Sequence, residues 1–110
     1  MAKQAENFAT LAANATQRVV RIIRGKTVFS LRTPIDLDVR DDGPYCLIEY
    51  EPLGIQGRGR DQEEALGSFA DQFWGMWEWI ASGEDPKLTQ DARRLKRKML
   101  SLVKSVTSGT

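Results

Sequence analysis

Apolar residues recur along this chain with three different rhythms. From residue 5 to 24, Phe8, Leu11, Ala12, Ala15, Val19, Ile22 and Ile23 fall at helical spacing, and Gly25 suits the position just past a helix end. The spacing predicts an N-terminal helix over 5–24, although the β-branched run VVRII also suits a strand. In the helical reading Arg18, Arg21 and Arg24 share a polar stripe near the C-terminal end of the helix dipole, where cations are favoured.

The rhythm then changes to period two. In PIDLDVR, Ile35, Leu37 and Val39 alternate with Asp36, Asp38 and Arg40, the pattern of a strand with one buried face. TVFSL supplies a further strand before Pro34. DDGP at 41–44 is a turn. Tyr45 to Tyr50 forms the next strand, broken by Glu51-Pro52-Leu53-Gly54, and Ile55 to Arg60 a short last one. Connections this compact predict an antiparallel meander of three or four strands over 27–60.

Helical spacing returns at residue 62. Asp61 can cap the helix, with Glu64 three residues later, close to a capping box. Ala65, Leu66, Phe69, Ala70, Phe73, Trp74, Trp77 and Ile80 form one apolar stripe of a long helix over 62–81, ended by Ser82-Gly83. Thr89 caps a last, basic amphipathic helix over 89–106, its inner face Ala92, Leu95, Met99, Leu102, Val103 and Val106. The fold class that follows is α+β in a single domain over 1–110: an antiparallel meander packed against a long helix, with additional N- and C-terminal helices.

FWGMWEWI, residues 73–80, holds all three tryptophans. Phe73, Trp77 and Ile80 are accounted for by packing on the sheet. Met76 and Trp79 lie well away from that stripe at 100° per residue, with Trp74 on its border. Either the terminal helices roof them, or they meet another subunit or a partner, where Trp and Met are enriched. Trp74, Met76 and Trp79 are therefore candidate interface residues. A base-stacking platform is disfavoured, because Asp71, Glu78, Glu84 and Asp85 lie nearby.

Composition narrows the chemistry. Among 110 residues there is no histidine and one cysteine, Cys46. Ser–His and Cys–His nucleophile pairs cannot be built, and zinc ligation is disfavoured. A carboxylate enzyme or small-ligand sensor remains open, but nothing in the spacing positions an acid and a base. GRGR at 57–60 lacks the residues of a phosphate loop or dinucleotide fingerprint and reads instead as a strand where a backbone approaches closely. Asp36, Asp38, Asp41 and Asp42 lack calcium-loop spacing and read as solvated charge. No cofactor or metal is expected. No apolar run is long enough to span a membrane, no secretory signal is apparent, and the lone cysteine leans towards the cytoplasm.

Net charge is +1, but the charges are segregated. Residues 1–32 hold six basic residues against one acidic, residues 36–64 hold nine acidic against three basic, and residues 93–110 hold six basic and no acidic ones. Solvated faces, or subunits meeting by opposite charge, are the first explanation. The alternative is a nucleic-acid contact through the basic helices, with Arg93, Arg94, Arg97 and Lys98 as candidate residues.

The hairpin, Leu53-Gly54 and the run Gly59-Arg60-Asp61-Gln62-Glu63-Glu64-Ala65-Leu66 together resemble the HicB-like antitoxin family, over about residues 35–80. In that family strands pass through a Pro–Gly segment into a helix that opens Gly-Asp-Thr-x-Glu-Glu-Ala; here Asp61 stands where Thr is usual. The family often carries a C-terminal ribbon-helix-helix or helix-turn-helix domain, which has no counterpart here, so operator binding is not expected. The resemblance implies a ribonuclease-H-like or double-stranded-RNA-binding-like core, no catalytic residues, and neutralisation of a small mRNA-cleaving toxin by protein contact. The expectation is a non-enzymatic interaction protein that binds a protein partner, such as a small toxin. It is also expected to self-associate, most simply as a homodimer, through the Trp-rich helix or an exposed strand edge.

Overall fold

Two tight turns that begin on glycine build most of the sheet. Gly25 (φ 59°) and Gly43 (φ 65°) take left-handed backbone that a side chain would resist, and each opens a two-residue connection between antiparallel strands. The computed structural model describes residues 15–109. In chain order it contains β1 (Ala15–Arg24), β2 (Thr27–Asp42), β3 (Tyr45–Tyr50), β4 (Ile55–Gly59), α1 (Gln62–Met76), α2 (Gln90–Leu102) and β5 (Val103–Ser108). These form an α+β structure with a five-stranded antiparallel sheet and two helices.

β2 organises the sheet. Along one edge it pairs with β1 from Thr27 to Val39. Along the other it pairs with β5 through Thr27–Leu31 and with β3 through Asp38–Asp42. TVFSL and PIDLDVR are thus one 16-residue strand rather than two. Pro34, which has no N–H to offer, sits where the ladder is interrupted: Val19 faces Ile35 and Arg21 faces Ser30, leaving residues 31–34 opposite Val20 alone.

One face of the sheet is apolar. Phe29, Leu31, Ile35, Leu37 and Val39 of β2 join Ile22, Ile48 and Ile55 beneath α1 and α2. Phe29, Phe69, Phe73, Leu37, Ile48 and Met99 are fully excluded from solvent. The Phe29 ring meets Phe73 and Trp77 edge-on at 4.9 and 5.5 Å. The other face is charged and answers itself: Arg18 pairs with Asp36, Arg40 with Glu49 and Arg58 with Asp42. The aspartates of β2 therefore behave as the solvated charges their alternation implies.

α1 starts as its sequence predicts. Asp61 Oδ1 accepts from the Glu64 N–H at 2.8 Å, while the Glu64 carboxylate reaches back to the Arg60 N–H at 3.0 Å. The helix lies directly on β4. A Cβ at Gly57 would come within 2.7 Å of Phe69 Cα, and one at Gly59 within 2.7 Å of the Glu64 carbonyl carbon. GRGR is thus a strand at a close backbone approach, as the sequence suggests. The Arg58 N–H donates to Ser68 Oγ at 3.3 Å, so α1 also satisfies part of the free edge of β4.

Three expectations need correction. Residues 15–24 of the expected N-terminal helix are strand β1; residues 5–14 lie outside the described residues. The β-branched run VVRII prevails because β2 offers it a long ladder, and Gly25 closes a hairpin rather than a helix. Arg18, Arg21 and Arg24 consequently share no helical stripe. The last helix stops at Leu102, and Val103–Ser108 pair with β2 as β5. Val103 and Val106 fit a helical face by spacing, but β-branched residues beside an open edge of β2 gain more from the ladder. The long helix spans 62–81, but its last turn, Trp77–Ala81, is π-type, with the Ser82 N–H reaching the Trp77 carbonyl at 3.1 Å.

Candidate functional site

The π turn separates the tryptophans. Phe73 is fully buried, and Trp77 and Ala81 face the core, one against Phe29 and the other 9% exposed. Trp79, midway between Trp77 and Ala81, turns the opposite way and is 82% exposed. Met76 and Trp74 are half-buried against the core. The Arg24 guanidinium lies 4.1 Å from the centre of the Trp74 ring and donates to Asp71 Oδ1 at 3.0 Å. Of Trp74, Met76 and Trp79, two are covered by the chain itself and Trp79 stands free.

The second feature is the outer edge of β1. This strand ends the order β1-β2-β3-β4, and among the described residues nothing pairs with its other side. Val20 and Ile23 are 52% and 55% exposed there. Between β1 and the flank of α1 runs a groove of about 250 Å³ lined by Val19, Ile22, Ile23, Leu66, Gly67 and Ala70, with Arg21 and Glu63 as its polar lining. Its ends are fixed by contacts between the two elements: Gln62 donates to Gln17 at 2.7 Å, and Arg24 holds Asp71. Sequence spacing alone could not find this groove, because assigning 15–24 to a helix removes the edge that forms one wall.

Of the candidate basic residues of α2, Arg93, Arg94 and Lys98 have separate partners. Arg93 donates to the Asp85 carbonyl at 2.8 Å, and Lys98 to the Pro52 carbonyl at 3.3 Å. Arg94 lies 3.8 Å from Asp91. Arg97 is exposed and makes no ion pair among the described residues. Lys96, absent from the sequence candidates, is the most firmly held: Nζ donates to the Gly83 carbonyl at 2.6 Å and to Asp85 at 2.7 Å. The hydrogen bond from Lys96, with its charge, holds the Asp85 carboxyl below its ordinary range. Arg18 does the same for Asp36 through their hydrogen bond.

Chemistry elsewhere is quiet. Cys46 is half-buried on β3; burial, then the carboxylates of Asp41 and Asp61, push its thiol up, so it stays protonated at neutral pH and is a poor nucleophile. No helix among the described residues is long and apolar enough to cross a membrane. The apolar surfaces that stand out among the described residues are an exposed indole on the π turn and an unpaired strand edge beside a groove. Comparison with protein-family models, curated proteins and solved structures finds no match to this chain.

Proposed function

We propose that this chain is a non-enzymatic interaction module of HicB-like antitoxin type, which binds a protein partner such as a small toxin and self-associates. The observation that carries the reading is Trp79. The other large aromatic side chains of the 73–80 run are packed or half-packed, yet this indole is 82% exposed on a turn that packs on the core through partly buried Trp77 and buried Ala81. Exposed Trp held on a rigid element is the residue type that most often dominates a protein interface. The strand pair β3–β4 feeding a capped helix is in keeping with the strand-to-helix passage that the HicB-like resemblance implies.

The competing reading, nucleic-acid contact through Arg93, Arg94, Arg97 and Lys98, is weakened because Arg93 and Lys98 spend donors on main-chain carbonyls. The test is capture from the native cell extract with the full chain as bait, alongside Trp79→Ser. A stoichiometric protein partner that binds the wild type and not the variant supports the proposal. A nuclease-sensitive complex that dissolves steeply with salt, or no partner at all, sinks it.

A further inference from the structure

Sheet edges left open are a liability that folded proteins suppress. This chain suppresses the edge of β4 with α1, down to a hydrogen bond from the Arg58 N–H to Ser68. Among the described residues nothing covers the edge of the ten-residue β1, which has two aliphatic side chains about half exposed and a groove alongside. A strand edge next to a helix-walled apolar groove is the geometry in which extended segments dock. Main-chain hydrogen bonds to the edge give affinity, and alternate side chains entering the groove give specificity.

The charges of β1 select the occupant. Residues 15–26 carry Arg18, Arg21, Arg24 and Lys26 and no carboxylate. A strand added here would have those arginines as cross-strand neighbours, where opposite charge stabilises and like charge destabilises. On the occupied edge β2 already answers in this way: Asp36 stands directly opposite Arg18, with Arg18 Nε donating to Asp36 Oδ1 at 2.9 Å. Arg24 is drawn to Asp71, while Arg18, though paired with Asp36, keeps its side chain 70% exposed on the open face. Arg21 is left without an ion pair among the described residues. A second copy of β1 would bring only more cations.

Resting on the protein-binding reading above, we propose that β1 takes up an extended acidic segment of the protein partner as an additional strand along its outer edge, beside the groove that α1 walls. One aliphatic side chain of that segment sits over Ile22, Leu66 and Ala70, and a carboxylate on a neighbouring residue meets Arg21 on the open face. Gly67 gives a clean block. It is exposed, and a Cβ there meets nothing within 4 Å, so Gly67→Trp fills the groove from the helix side without disturbing the core.

The probe is a displayed library of random ten-residue segments selected on the full chain, with enriched segments synthesised and titrated into ¹⁵N-labelled protein. The expected consensus places Asp or Glu beside an aliphatic residue, with shifts centred on the amides of Val19 to Ile23. Binding should weaken about tenfold or more in Gly67→Trp and in Arg21→Glu, both of which should keep the wild-type spectrum elsewhere. Failure to enrich any segment overturns the proposal, as do basic consensus segments, undiminished binding to Gly67→Trp, or a homodimer paired through β1. A cellular partner lost in Trp79→Ser but retained by Gly67→Trp overturns this inference and leaves the protein-binding reading intact. A wild-type chain that captures no protein removes the reading itself.

Discussion

Two glycines on neighbouring elements answer the same substitution with opposite signs. Gly57→Ala drives a methyl group into the α1 backbone at Phe69, which cannot move aside as a side-chain tip would. We expect a loss of about 3 kcal/mol in urea unfolding. Gly67→Ala enters open space on an exposed helix interior and should add roughly 0.5–1 kcal/mol. Glycine within GRGR already reads as close approach in the sequence; which backbone approaches, and that Gly67 is idle, depends on the packing of α1. Trp79→Ser should shift stability by no more than about 0.5 kcal/mol, because the indole has little burial to lose. Asp36 and Asp85 contribute to the acid dependence. Both carboxyls lie below their ordinary range when folded, so their contribution is present above the unfolded value near 3.8 and is lost as pH falls through the folded values. Asp85→Asn should flatten the acid limb of the stability–pH curve measured by denaturant titration.

Elements with local punctuation are the ones the sequence shows plainly. Asp61 and Thr89 cap α1 and α2 as their side chains suggest, each accepting from the N–H three residues on. Asp61→Ala should cost about 1 kcal/mol in chemical denaturation. The strands from Ile35 to Gly59 follow their alternation. The two misassigned segments, 15–24 and 103–106, share a cause. Both mix helical spacing with β-branched residues, and both are settled by β2, a long strand that needs partners along either edge. Nothing within VVRII or VKSVTS announces that partner, which lies up to 24 residues away for β1 and more than 70 away for β5. The π turn at 77–81 is equally silent in the sequence, and it is what leaves Trp79 alone outside.

At the scale of the whole molecule, apolar surplus that the sequence assigns to one site divides into two. Trp74 and Met76 are largely absorbed by the chain, Trp74 beneath Arg24. What stands out among the described residues is Trp79 on the π turn and the unpaired edge of β1, the latter hidden from sequence reading by the helical spacing of residues 5–24. We propose that this surface holds another protein. The most direct test is the native mass and composition of the species recovered from cell extract with the full chain, wild type against Trp79→Ser. The wild-type species should contain a second protein, and the Trp79→Ser species should lack it while its circular dichroism is unchanged. A wild-type chain recovered without any second protein, or a Trp79→Ser chain that keeps its partner undiminished, would contradict the proposal.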